Sequence, residues 1–349
     1  MEQELLIPII IFIIFFILNR IFEWRYKNRF EKILALFLII YSALVDIKYG
    51  VLFGFIFMIY LINSSKNNNI ESFDNDKNEK KDYEKMKENA VIPLNIYQTW
   101  HSKKLPKKMQ ENVNCLKRQN PEFKYYLYDD TECREFIKKN FDKDVLNAFD
   151  TLIPGAYKAD LWRYCILYKN GGIYLDIKFK CENNFKLIEL TDKEHVVLER
   201  PYSSQNMNIN EYIAMITDVN YYKNIYKMID TNFWKNKKIG LYNALITSKP
   251  NNPILLECIN SIVENVKTRK YLYNPLYITG PGLFGEIYFK GNYIKIQNID
   301  LFNSLDSTFI LYRNKKILSH YPEYRDEQRK YQKNENYHYL WTNKKIYKE

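Results

Sequence analysis

Histidine is scarce in this sequence, with four residues among 349. A metal centre built mainly from imidazoles is therefore excluded. The five cysteines (Cys115, Cys133, Cys165, Cys181 and Cys258) form no CxxC pair and show no zinc-type spacing. Such an odd, scattered set reads as mostly buried free thiols and says little about redox compartment. Internal repeats are missing, as are a Walker loop, a G-x-G-x-x-G turn and a G-x-S-x-G elbow. Function classes that depend on those phosphate cradles or on that nucleophile lose their support.

Aromatic residues are plentiful. They make up 16% of the chain, with 31 Tyr, enough for a large core and for stacking surfaces. The formal net charge of +11 suits a phosphate-bearing ligand, an anionic membrane or nucleic acid. A lysine-rich solvated surface explains it equally well. The length exceeds one small domain and accommodates a core of about 250 residues.

Leu5 to Ile21 is almost wholly apolar and approaches the roughly 20 residues that cross a bilayer. It has no basic start and no small-residue cleavage site, so it reads as an anchor and not as a signal peptide. Basic residues follow, from Arg20 to Lys32, and suit an anionic leaflet. A second apolar zone, Ile33 to Ile62, is broken by Asp46, Lys48 and Gly50. Two short spans, a re-entrant hairpin or one tilted helix all remain open, and sidedness follows the number of crossings. Residues 63–90 are polar and charge-rich without an apolar period, which predicts a flexible linker.

The rest is organised around Ala156 to Lys178, AYKADLWRYCILYKNGGIYLDIK. Ala156, Ala159, Arg163 and Ile166 recur at helical spacing, and Asn170-Gly171-Gly172 stops the helix. Ile173-Tyr174-Leu175 follows as a short buried strand with Asp176 at its carboxyl end. Ligands of open α/β sheets bind just beyond such ends. Asp160 and Arg163, on one helix face, reach toward the same crevice. Upstream, Val91 to Tyr97 reads as a strand, Pro106 to Arg118 as a helix and Phe123 to Tyr128 as a strand. Asp129-Asp130 reads as a helix-capping pair. Downstream, His195 to Glu199 and Ile213 to Ile216 read as strands, Tyr221 to Trp234 and Pro253 to Val266 as helices, and Gly280-Pro281-Gly282 as a rigid turn.

The helix A-x-x-x-D-x-x-R-Y followed by G-G-I-Y-x-D resembles the sugar-binding region of glycosyltransferase family 32, the "DxD" transferases. Other pieces are similar in order: Ile92-Pro93 through Gln98-Thr99-Trp100, Asn120-Pro121 with Tyr128-Asp129-Asp130, Asn243 through Pro253, Thr279-Gly280-Pro281, and His338 with Trp341. The resemblance covers about residues 91–345. It implies an α/β, GT-A-like nucleotide-sugar-binding domain over 91–349, a mixed sheet flanked by helices, which the apolar zones place after a membrane anchor over 1–62. It implies transfer from GDP-mannose or a UDP-sugar to a glycan or lipid acceptor, with retention, at an endomembrane (Golgi-like) or host-cell membrane. No nucleic acid partner is expected. By the same resemblance Asp176, Asp160 and Arg163 are catalytic. Gln98, Thr99, Trp100, Asn243, Gly280 and Trp341 contact the donor, Lys178 joins them at the altered motif position, and Asp176 holds a divalent Mn²⁺ or Mg²⁺ with His338 as its candidate partner, a phosphate contact or a surface residue being the alternatives for that histidine.

The motif departs from the family at one position, since D-x-D here reads Asp176-Ile177-Lys178. Lysine removes a hard oxygen ligand and adds a positive point charge. Either Lys178 takes over part of the neutralising role, or other groups hold the metal, or catalysis is lost and a binding-only descendant remains. Asp160 with Asp176-x-Lys178 also matches, superficially, the D…(D/E)-x-K pattern of metal-dependent nucleases, the competing enzyme class.

Overall fold

The computed structural model describes residues 83–199, 240–272, 274–290, 301–304, 307–313, 315–332 and 335–349. The two apolar zones, most of the linker, and the Ile213–Ile216 and Tyr221–Trp234 elements lie outside the described residues. No helix among the described residues is long and apolar enough to cross a membrane. The linker ends sooner than its composition implies. Residues 83–88 are helical, and the backbone N–H groups of Val91 and Ile92 both donate to the Thr191 carbonyl. The first strand therefore begins at Asn95 instead of Val91.

The chain runs β1 (Asn95–Thr99), α1 (Lys107–Gln119), β2 (Lys124–Tyr128), α2 (Asp130–Asn140), α3 (Lys143–Thr151), α4 (Gly155–Asn170), β3 (Gly172–Leu175) and β4 (Phe179–Cys181). It continues with β5 (His195–Leu198), β6 (Leu241–Ser248), α5 (Pro253–Lys267), α6 (Pro281–Lys290), β7 (Leu301–Asn303), β8 (Phe309–Tyr312), β9 (Lys315–His320), α7 (Tyr324–Tyr331) and α8 (Tyr337–Thr342). Local chemistry sets several boundaries. Asp129 caps α2 in a capping box with Glu132, as the acidic pair predicts. Gly171 (φ +61°, ψ −175°) ends α4 in a region open almost only to glycine. At Gly172 (φ +112°) a Cβ would sit 2.7 Å from the Asn95 carbonyl oxygen, so glycine also lets β3 lie close to β1. Gly280-Pro281 is not a free-standing turn. Pro281 opens α6, where its fixed φ suits a first helical residue and its missing N–H costs nothing.

The nine strands described make one mixed sheet in the order β2-β1-β3-β6-β5-β7-β8-β9-β4. Strands β2, β1 and β3 are parallel, so their carboxyl ends share one edge, and β6 runs antiparallel beside β3. Side-chain alternation splits the strands between two cores. Tyr97 and Tyr174 face a helical layer with Leu161, Trp162, Ile259 and Phe284. Ile96, Ile173 and Leu175 face the opposite core, with Phe179, Leu301, Ile310 and Leu318. β3 and β4 lie six positions apart in the sheet. A flat sheet would separate them by about 28 Å at the usual strand spacing. Residues 176–178 join them and span at most about 14 Å. The sheet therefore curls until its β4 edge returns beside β3, with the second core inside the curl.

Candidate active site

A cavity of about 500 Å³ opens at the carboxyl ends of β1 and β3. Its walls include Thr99 and Trp100 after β1, Asp130 at the start of α2, Asp160 and Arg163 from α4, Asp176 and Lys178 after β3, and Tyr242 and Asn243 from β6. The inner wall is a closed polar network. Asp160 is buried; Asn243 Nδ2 donates to its Oδ1 (2.9 Å) and Thr279 Oγ1 to its Oδ2 (2.8 Å). Asn243 Nδ2 also donates to the Tyr164 hydroxyl (3.0 Å). Arg163 Nη2 lies 3.2 Å from Asp160 Oδ1, and its Nη1 lies 3.5 Å from Asp176 Oδ1. The same guanidinium donates to the carbonyls of Asn243 (2.6 Å) and Ala159 (3.2 Å) and stacks over the Tyr174 ring at 4.3 Å. Arg163 thus crosslinks α4, β3 and β6.

Asp176 is the more exposed carboxylate, with 22% of its side chain accessible. The Tyr174 hydroxyl donates to its Oδ1 (2.7 Å) and Lys178 Nζ to its Oδ2 (2.6 Å). Lys178 is only 13% exposed. It reaches Asp176 by a different route from the shared strand face that an i,i+2 spacing suggests. The strand stops at Leu175, and residues 176–178 turn back on themselves, with the Phe179 N–H donating to the Asp176 carbonyl (3.1 Å). Asn112 of α1 holds the turn by donating to the carbonyls of Ile177 and Phe179. The Asp176 N–H donates to the Ala244 carbonyl (2.8 Å), and the Tyr321 N–H to that of Lys178 (3.0 Å).

The two carboxylates are pushed in opposite directions. Burial raises Asp160 above the usual carboxylate range, and Arg163, Thr279 and Asn243 only partly offset it. Burial would raise Asp176 as well, but the Lys178 ammonium and the Arg163 guanidinium outweigh it and hold Asp176 below its ordinary value. Lys178 loses by burial and gains more from Asp176, so it is held above the usual lysine range.

Most of the residues singled out in the sequence meet here, and some do not. Gln98 is buried behind the wall; its Nε2 lies 3.4 Å from the Asp176 carbonyl while Tyr125 donates to its Oε1 (2.8 Å). Thr99 lines the cavity with its hydroxyl committed to the Tyr128 carbonyl (2.9 Å). Trp100 lines it too, largely buried against Met109, Val113 and Ile177. Gly280 packs against Asp160, where a Cβ would lie 3.2 Å from Oδ2. His338 is exposed on α8, and neither it nor Trp341 is among the cavity-lining residues. Sequence reading missed Thr279, Tyr174 and Tyr242 as site residues, and Glu199, Tyr324 and Gln328 as wall residues. Thr279 sits inside the T-G-P element, which was its one available signal.

A divalent ion does not fit this donor set as it stands. Every carboxylate oxygen of Asp160 and Asp176 already faces a neighbouring donor. Among the described residues no group of three or more His, Cys, Asp or Glu comes together to hold a metal. The same geometry gives the nuclease pattern no support, because Arg163 lies between its two carboxylates and Lys178 is bonded to one of them.

Residues 106–197 match the family model described as the glycosyltransferase sugar-binding region containing DXD motif. The match takes in α4, the glycine pair and Asp176, so the family resemblance seen in the motifs holds over this segment. Three relatives are similar to this chain. Inositol phosphoceramide mannosyltransferase 3 of Schizosaccharomyces pombe is 37% identical over 95 residues, 27% of this chain and 26% of that protein. An uncharacterized glycosyltransferase of Acanthamoeba polyphaga mimivirus is 38% identical over 97 residues, 27% of this chain and 38% of that one. The initiation-specific alpha-1,6-mannosyltransferase of Candida albicans is 27% identical over 222 residues, 58% of this chain and 54% of that protein. The matches thus span between about a quarter and about half of these relatives' lengths.

Proposed function

We propose that this protein is a membrane-anchored glycosyltransferase of GT-A-like architecture, transferring a sugar from a nucleotide sugar to a glycan or lipid acceptor with retention. One observation carries the reading. The buried Asp160–Arg163–Asp176 network lines a cavity of about 500 Å³ at the strand ends, inside the segment matching the sugar-binding family model. GDP-mannose and UDP-sugars are the donor candidates, and the mannosyltransferase relatives favour the former. The apolar zones in residues 1–62 support an acceptor presented at a membrane.

The chemistry asks a site to hold a diphosphate and to stabilise the charge that grows on it as the sugar's C1–O bond breaks. Lys178 and Arg163 supply two permanent positive charges on one wall. Asp176, charged throughout the neutral range, orients both. Asp160, held by Asn243, Thr279 and Arg163, lines the cavity and fixes the inner wall against which the sugar packs. Asp160 and Asp176 are both held within the network, which suits a same-face mechanism with donor phosphate accepting the acceptor's proton. Positioning and electrostatics then supply most of the rate.

The test is a panel of sugar nucleotides incubated with the purified full chain, read as protein-dependent release of free sugar. At least one donor is hydrolysed, and Asp176→Asn removes that activity. Cleavage of DNA with every sugar nucleotide left intact would replace this reading by the nuclease one.

A further inference from the structure

We infer that the donor site binds a nucleoside diphosphate without a divalent cation, the Lys178 ammonium standing where a D-x-D site holds its metal. The inference rests on the donor-site reading above. The matched region is described by a DXD motif, and here the third position is lysine. Exchanging a carboxylate for an ammonium raises the formal charge of the wall by two units, the charge of one Mn²⁺ or Mg²⁺ ion. Asp160, Arg163, Asp176 and Lys178 are formally balanced as they stand. The same wall with Asp in place of Lys178 would lack two positive charges until a divalent ion arrived.

Geometry points the same way. A hard cation needs carboxylate oxygens with room around them. Asp176 Oδ2 is taken by Lys178 Nζ at 2.6 Å, and Oδ1 by the Tyr174 hydroxyl at 2.7 Å. An incoming cation would have to displace the ammonium and then remain beside it, against like-charge repulsion in a partly desolvated wall. The ammonium itself is built in. It is 13% exposed, lies 5.1 Å from the Tyr242 ring centroid and 5.3 Å from that of Phe179, and still lines the cavity. Lysine carries three N–H donors. Asp176 takes one, and the ammonium lines the cavity with others to offer a phosphate oxygen. Lysine commonly serves phosphate as such a point charge.

The experiment is calorimetric titration of the purified full chain with GDP and, separately, with UDP, in EDTA and in Mn²⁺. At least one nucleotide binds, with dissociation constants in the two conditions agreeing within about threefold. Lys178→Ala weakens metal-free binding by about 10- to 100-fold, the range expected for a lost charge-assisted contact. Lys178→Asp loses binding in EDTA and regains it in Mn²⁺. Thermal unfolding checks that each variant is folded. Should Lys178→Ala fail to fold, Lys178→Arg serves instead, because it keeps the charge and retains metal-free binding. Binding that appears only with Mn²⁺ overturns the inference and leaves the donor-site reading standing. Absence of binding by either nucleotide in both conditions overturns the two together.

Discussion

The inner wall and the turn of the cavity solve the same problem, a carboxylate in a confined place, in different ways. On the inner wall, Asp160 is surrounded by donors from three elements and sits on a helix packed on all sides. At the turn, Asp176 is gripped by an ammonium two residues away and by a tyrosine two residues before it. Burial dominates the first and raises its pKa; opposite charge dominates the second and lowers it. Two acids sorted in this way take separate roles. In the proposed site, Asp160 is the anchor of a network and Asp176 the fixed negative charge that orients two cations.

The most severe test of that contrast is truncation. Asp160→Ala leaves Arg163 short of one counter-charge and strands Thr279 and Asn243, so thermal unfolding should show a loss of about 3–5 kcal/mol. Asp176→Asn should abolish donor turnover at a smaller cost, about 1–3 kcal/mol, because Lys178 loses its carboxylate. Adding Lys178→Met to Asp176→Asn should recover that stability without recovering turnover. If the double variant also regains activity, Asp176 is structural and the contrast collapses.

Acid titration separates the two sites more gently. Asp176, held below its ordinary value, contributes stability that is present above the unfolded pKa near 3.8 and lost as pH falls through its folded value. Asp160, held above, has the opposite sign. Its contribution is complete below 3.8 and lost as pH rises through its folded value. Unfolding free energies of Asp176→Asn should therefore fall less steeply than wild type on acidification, and those of Asp160→Asn more steeply. Equal slopes would mean that the two environments are not distinct.

The smallest effect belongs to a carboxylate with no place in the network. Asp129 only caps α2, so Asp129→Ala should cost about 1 kcal/mol and leave turnover unchanged. A turnover loss matching that of Asp176→Asn would show that any nearby acid matters equally.

What was legible in the sequence is what local signals write. The α4 helix, the glycine stop and the Asp129 cap all depend on signals within a few residues, and each appears where it was expected. The five cysteines are free, four of them buried. Other features depend on distant packing. All eight residues of β6 are buried, so the strand lacks the alternation that announces a half-exposed one, and Asn243 read as part of a motif and not of a strand. Strand periodicity would put Lys178 on the Asp176 face, but Asn112 and Tyr321, far away in sequence, make the turn that sets its position. Gly280-Pro281-Gly282 read as a turn from its glycines and proline, but the same proline is suited to the first position of a helix, and that is where it sits.

The curl of the sheet has a kinetic consequence. Residues 176–178 are held by α1, by β6 and by Tyr321 just beyond β9, partners drawn from almost the whole span of the described chain. Contacts so separated in sequence are slow to form, because large loops must close before they give any stability. The turn that carries Asp176 and Lys178 is thus set by contacts that only the closed sheet supplies, so the place of the charge pair depends on the far edge of the sheet as much as on its own strand.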